Sequence, residues 1–271
     1  MPGANPMTDA HVHIERGPYS ESWVDAFVER AQIAGIDELY LLEHSFRFHE
    51  FKAVYGSVEK HDEAGDYQRN WILSKCRLSL GEYQRFVSAS RGRRHPITVK
   101  FGLEVCYFPE SEDAIREIVS DFNWDFLTGA IHWVDGFGFD HRENMPIWRK
   151  SDVNALYRRY YALMVLSIES GIFDVIAHPD SIKCFGFYPS DDLQSLYEEV
   201  ADSVSRRQLK LEFSNGLFIN YGHKELGMNR KLLTVLKRKG IPLVTASDAH
   251  RPEDVGRYIR EAEDIIGSAC A

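Results

Sequence analysis

Asp9-Ala10-His11-Val12-His13 closes a short apolar stretch, Thr8 to Ile14, and its spacing decides how the rest of the chain is read. In an extended strand successive side chains point to opposite faces, so His11 and His13 share one face and can reach one cation. The same arrangement, a brief apolar run carrying His, Asp or Glu at its end, recurs along the sequence. Asp37 to Leu42 leads into Glu43-His44, Thr98 to Cys106 carries Gly102-Leu103-Glu104, and Phe126 to Trp133 carries His132. Asp174 to His178 ends in Ala177-His178, Leu209 to Ser214 follows, and Pro242 to Ser247 runs into Asp248-Ala249-His250, again an alternate pair.

Longer stretches of near-3.6-residue apolar spacing separate these seven runs, the pattern of βα units around a parallel sheet. A length of 271 residues, without a linker, repeat or low-complexity tract, fits one α/β domain over residues 1–271. Helix starts are expected at Ser20 for the first helix, Ser111 for the third, Ser151 for the fourth and Ser190 for the fifth. The longest insertion, Phe46 to Arg94, is expected to hold a helix carrying Trp71, Ile72, Leu78, Tyr83 and Phe86, as a lid, a pocket wall or an ordinary barrel helix.

Hydrophobic residues make up 44% and charged residues 27% of the chain, enough for a sizeable buried core. The net charge of −9 argues against extended nucleic acid or an anionic membrane as partner. The cluster Arg91, Arg93, Arg94 beside Gly92 and Pro96 reads as a solvated connection from helix to strand. Cys76, Cys106, Cys184 and Cys270 show no CxxC spacing, so reduced thiols in the cytoplasm are expected rather than disulfides or a thiolate zinc site. The opening MPGANPMTDAH has no basic stretch followed by an apolar core, and no apolar run reaches membrane-spanning length. Neither export nor a membrane anchor is expected.

Barrel enzymes place their chemistry at the C-terminal ends of strands, where nearly all of these polar groups fall. Six histidines buried beside Glu104 and Asp248 would be costly without cations to bind the nitrogens and neutralise the carboxylates. Imidazole and carboxylate ligands without thiolate suit zinc, manganese or iron. With about nine candidate ligands and roughly three or four protein donors per ion, two or three divalent ions are expected.

In order along the chain, DAHVH, LLEH, GLE, AIHW, AHPD and SDAH resemble the PHP (polymerase and histidinol phosphatase) superfamily across almost the whole sequence. Residues 130–140 (AIHWVDGFGFD), 171–183 (GIFDVIAHPDSIK) and 247–256 (SDAHRPEDVG) are similar to its histidinol-phosphate phosphatase branch. The resemblance implies a distorted (β/α)7 TIM-like barrel of the PHP type with a two- or three-metal centre. It implies that His11, His13, Glu104 and Asp248 hold a first ion, that Glu104 bridges to a second held by His132 and His178, and that His44 and His250 hold a third. Many relatives supply another Asp or His beyond His13; here Glu15, continuing the same alternate-residue face, is the substitute ligand.

The branch usually carries an Arg soon after its sixth strand, in a Gly-Leu-Arg-Lys-like turn that grips phosphate. This chain reads Asn215-Gly216-Leu217-Phe218, and Phe218 cannot make forked contacts to phosphate oxygens. Either Arg16, Arg47, Arg159 or Lys183 does that work, or the natural substrate differs. The expected activity is metal-dependent hydrolysis of a small phosphate monoester, first of all histidinol phosphate, by a metal-bridging hydroxide, with Glu104 as a bridging catalytic group and Asp248 or His250 protonating the leaving alcohol. The alternatives are a phosphoesterase of the same scaffold acting on a nucleotide or cyclic phosphodiester, and a metal-binding regulatory protein without hydrolytic activity.

Overall fold

The computed structural model describes residues 6–269, so Cys270 and the first residues of the opening stretch lie outside the described residues. The strands are β1 (Thr8–His13), β2 (Glu38–His44), β3 (Thr98–Cys106), β4 (Phe126–Ala130), β5 (Trp133–Val134), β6 (Phe137–Gly138), β7 (Val175–Ile176), β8 (Lys210–Ser214) and β9 (Leu243–Ala246). Seven of them form one parallel sheet in the order β1-β2-β3-β4-β7-β8-β9. The sheet curls into a nearly closed barrel. Its seam is held by a parallel bridge between Val12 and Ala249, with the His13 N–H donating to the Ala249 carbonyl at 2.8 Å, and by the Thr245 hydroxyl donating to the Thr8 carbonyl at 2.6 Å.

The strand register explains what fills the barrel. Between Asp9, opposite Leu39, and Val12, opposite Leu41, two residues of β1 face one of β2, a bulge that puts Ala10 and His11 together on the inner side. Ala10, Tyr40, Leu42, Phe126, Val175 and Val244 then form a small apolar plug. Gly102 makes room in it, since a Cβ there would lie 2.4 Å from the Phe126 carbonyl oxygen. Nearer the C-terminal ends of the strands come His13, His44, Glu104 and Glu212, all inward. The outward side chains, Leu39, Leu41, Phe101, Leu103, Leu211 and Phe213 among them, belong to the main core beneath the helices.

The helices are α1 (Glu21–Ala34), α2 (Gly65–Lys75), α3 (Leu80–Arg91), α4 (Glu112–Ser120), α5 (Met145–Trp148), α6 (Val153–Glu169), α7 (Gln194–Arg207), α8 (Gly216–Tyr221), α9 (Arg230–Arg238) and α10 (Ile259–Ser268). Ser20 caps α1, accepting the Trp23 N–H at 3.3 Å. Ser111 precedes α4 without a side-chain capping bond. Two expected starts are displaced. Asp152 rather than Ser151 caps α6, its carboxylate accepting the Ala155 N–H, and α7 starts at Gln194 because Ser190 and Asp191 donate their N–H groups to Asn154 Oδ1 in a loop.

The insertion holds two helices instead of one, α2 and α3, because the chain straightens between them. There Leu78 bridges to Phe48, and the N–H groups of Arg77 and Leu78 donate to the Arg47 carbonyl. The fourth expected strand also stops early, at Ala130, and Trp133 instead opens a two-residue hairpin formed by β5 and β6. Among the described residues no helix is long and apolar enough to cross a membrane.

Candidate metal centre

At the C-terminal mouth of the barrel, register brings distant residues side by side. His44 and Glu104 are cross-strand partners on β2 and β3, while His11 and His13 arrive from β1. Their Nε2 atoms are 2.9 Å apart. The His13 ring stacks on His44 at 3.9 Å and 8° and also approaches His250 at 4.3 Å and 26°.

Glu104, 1% exposed, stands between two sets of imidazoles. Its Oε1 is 3.1 Å from His178 Nε2 and 3.3 Å from His132 Nε2. Its Oε2 is 3.0 Å from His44 Nε2, 3.5 Å from His13 Nε2 and 3.6 Å from His11 Nε2. Asp248 Oδ1 lies 3.5 Å from His13 Nε2 and 3.8 Å from His11 Nε2. Glu15 reaches the same cluster, with Oε2 3.2 Å from His44 Nδ1 and Oε1 3.7 Å from His250 Nε2. All nine residues singled out as ligands therefore meet at one site. Three tight groups stand out in it: His11, His13 and Glu104; Glu104, His132 and His178; and His13, His44 and His250.

Two of these residues have backbones that L-residues seldom adopt, His178 at φ +26° and Asp248 at φ +56°. Each is held. The His178 N–H donates to Glu212 Oε2 at 3.0 Å, and the Asp248 carbonyl accepts from Asn220 Nδ2 at 3.0 Å. Gly216 is needed beside Asp248, because a Cβ there would lie 2.1 Å from Asp248 Oδ2.

The charges are mutually dependent. Burial alone would raise the Glu104 carboxyl, but His44, His132 and His11 pull it well below the ordinary carboxylate range. Burial opposes charge on His11, yet Glu212 and Glu104 outweigh it and lift that imidazole well above its usual value. His13, buried and ringed by His44, His250 and His11, is driven well below it, and burial lowers His132 to about 4. Such a cluster needs cations or shared protons to stay buried.

The donor set fits metal ions. Glu104 Oε2 has imidazole nitrogens close by but no hydrogen-bond partner, and His13 Nδ1 and His178 Nδ1 are likewise buried without one. A buried carboxylate oxygen that faces several imidazole nitrogens without a hydrogen bond is arranged to meet a shared ion. Outer contacts support several rings: His11 Nδ1 is 2.8 Å from Glu212 Oε1, and His132 Nδ1 is 3.1 Å from Cys106 Sγ.

Of the four cations named for phosphate, the structure brings Arg16 alone to the cavity of about 660 Å³ in front of these groups. Arg47 is turned to the buried Glu43 at 2.6 Å, Arg159 to Asp135 at 2.8 Å, and Lys183 to Asp180 at 2.8 Å and Glu225 at 2.6 Å. Those three are corrected: each has found a carboxylate outside the cavity. Arg142, Arg251 and Arg257 line it instead. Arg251 and Arg257 stand on a loop and Arg142 opens a single 3-10 turn, where no periodicity marks an inward face. Glu212 was missed as well, although a carboxylate between Leu211 and Phe213 in a buried strand signals a paired, oriented group. In the long insertion, α2 does form a pocket wall, sending Tyr67, Trp71 and Lys75 to an adjoining cavity of about 460 Å³.

The barrel and its mouth define a class, the βα barrel whose C-terminal mouth is lined by candidate metal ligands. The PHP domain family matches residues 9–216 and the PHP-associated family residues 227–268, so the chain belongs to the PHP domain family. Among curated relatives, a probable histidinol-phosphatase of Deinococcus radiodurans is 29% identical over 205 residues, covering 73% of this chain and 78% of the relative. The histidinol-phosphatase of Bacillus subtilis is 25% identical over 275 residues, covering 94% and 97%. Among solved structures, histidinol phosphate phosphatase of Lactococcus lactis, complexed with zinc, L-histidinol and phosphate, superposes with a TM-score of 0.72 at 18% identity, covering 97% of this chain and 94% of the other. The putative histidinol phosphatase of Listeria monocytogenes superposes at 0.70 with 19% identity, covering 93% and 98%. These two likenesses establish the shared fold.

Proposed function

We propose that this chain is a metal-dependent phosphatase that hydrolyses a small phosphate monoester, with histidinol phosphate as substrate. The observation that carries the reading is Glu104, whose two oxygens face two separate sets of imidazoles as a bridging ligand's would. The names of both curated relatives, and the zinc, histidinol and phosphate bound by the Lactococcus protein, point the same way.

His11, His13, Glu104 and Asp248 would hold one ion, Glu104, His132 and His178 a second, and His44, His250 and Glu15 a third, with zinc, manganese or iron suited to these donors. Ions bound there supply a water of lowered pKa and neutralise charge on the reacting phosphoryl group. Glu212 keeps the His11 ring turned toward the centre by engaging its Nδ1, and by binding the His178 N–H it fixes the backbone of a residue on the other side of Glu104. Asp248 and His250, both at the cavity wall, are placed to exchange a proton with the departing oxygen. The guanidinium groups at the cavity rim attract the phosphate dianion.

The test is an assay of histidinol phosphate beside a panel of mono- and diesters, run on protein loaded with defined zinc, manganese or iron. Preference for histidinol phosphate is expected. A strong preference for a diester would defeat the monoester reading, and no hydrolysis in any metal form would favour a binding protein.

A further inference from the structure

Four arginines line the cavity in front of the candidate metal centre, Arg16, Arg142, Arg251 and Arg257. Among the described residues, Arg257 is distinguished by how firmly it is braced. Its Nη1 donates to Asp254 Oδ1 at 3.1 Å, and its Cζ lies 5.2 Å from the centroid of the Tyr258 ring. That ring is in turn met edge-on by Phe218, at 5.1 Å and 81°. The backbone is pinned too: Asn215 Nδ2 donates to the carbonyls of both Arg257 and Tyr258, at 3.3 and 3.1 Å. Tyr258 itself takes φ +61°, a strained conformation that persists where neighbours over-determine it.

Asn215 and Phe218 belong to the turn and first residues of α8, the short helix whose Asn220 also holds Asp248. One element thus touches the candidate metal centre and braces a cation at the cavity edge. Phe218 therefore has a role at this position: it packs on the Tyr258 ring that backs a guanidinium delivered from the chain after β9.

We infer that Arg257 is the residue that grips the substrate's phosphate oxygens, with Phe218 and Tyr258 as its support, an inference that rests on the phosphatase reading above. A guanidinium presents five N–H donors in a planar fork, so the single bond to Asp254 leaves donors free for two phosphate oxygens. Because stacking and the pinned backbone have already restricted it, Arg257 loses less freedom on binding than an unbraced arginine would. The ligand class is a phosphate dianion, and specificity for the rest of the substrate lies elsewhere in the cavity.

The experiment uses the metal-loaded chain with inorganic phosphate as probe, titrated calorimetrically, alongside steady-state hydrolysis of histidinol phosphate. Elemental analysis and thermal melting of each variant verify metal content and folding. Arg257→Ala should weaken phosphate binding and raise KM by roughly 10- to 100-fold, the range for a lost charge-assisted contact, with kcat within about threefold. Arg257→Lys should recover little, because a point charge cannot fork. Tyr258→Leu should give a smaller loss in the same direction. Unchanged phosphate affinity and KM in Arg257→Ala or Arg257→Lys at wild-type metal content would overturn the assignment, as would the full loss appearing in Arg251→Ala instead. Phosphate binding is read without turnover. A chain that binds phosphate through Arg257 yet hydrolyses no monoester would keep this assignment and remove the phosphatase reading.

Discussion

Glu43 and Glu104 stand on neighbouring strands, at 0% and 1% exposure, and are driven in opposite directions. Glu104 points into the barrel, where imidazoles pull its carboxyl well below the usual range. Glu43 is on the outer face in line with Leu103, and there burial lifts it to about 7 despite Arg47 at 2.6 Å. Burial is common to both, so it does not tell a functional carboxylate from a structural one. What differs is the company: several convergent nitrogens against a single guanidinium.

The sharpest way to break this contrast is Glu104→Gln. It removes the charge shared by two groups of ligands, and turnover should fall by about 10²- to 10³-fold, the scale for losing a principal electrostatic group. Near-wild-type kcat with unchanged metal content would end the bridging assignment. Glu212→Gln tests the support beneath the inner face. Metal affinity should drop about 10- to 100-fold, measured by competition with a chromophoric chelator, whereas unaltered affinity would make Glu212 merely a core residue.

Glu43 offers a pH test of the outer face. Its folded pKa of about 7 lies above the ordinary 4.5, so its contribution to stability is complete below pH 4.5 and is lost as pH rises through about 7. The span corresponds to about 3 kcal/mol. In denaturant titrations between about pH 5 and about pH 8, the wild type should lose stability relative to Glu43→Gln by up to that amount. The depressed Glu104 has the opposite sign, its contribution being present above pH 4.5 and lost only as pH falls through its lowered value. A Glu43→Gln difference that stays flat with pH would erase the contrast. The smallest effect is expected at Arg159, paired on the surface with Asp135: Arg159→Ala should leave turnover unchanged and stability within about 0.5 kcal/mol.

Much of this was legible because β-strand geometry converts spacing into direction. The alternate histidines of β1 and the polar residues ending the other strands foretold which groups would converge, and a parallel sheet puts all those ends at one mouth. The bulge in β1 could not be read from spacing, yet it left His11 and His13 on the same side because His11 is its second residue and regular alternation resumes from there. Helix starts were less legible: Ser151 stands beside a better cap, Asp152, and Ser190 is held in a loop by Asn154 from 36 residues earlier in the chain. The break at residues 76–79 depends on pairing with Phe48, a contact made far along the chain. The rim arginines were illegible for a different reason. Loops have no period, and a formal charge does not reveal whether it will meet Glu43, Asp135 or an open cavity.

The seam between β1 and β9 gives the barrel a hinge-like weakness. Its backbone is joined there by one bridge, yet Asp248 and His250 cross that gap to meet His13, more than two hundred positions away. Ions gripped from both sides would act as a clasp for the first and last strands. Stripping them should therefore loosen amide protection along Val12 and Ala249 before it reaches the interior of β2 and β3.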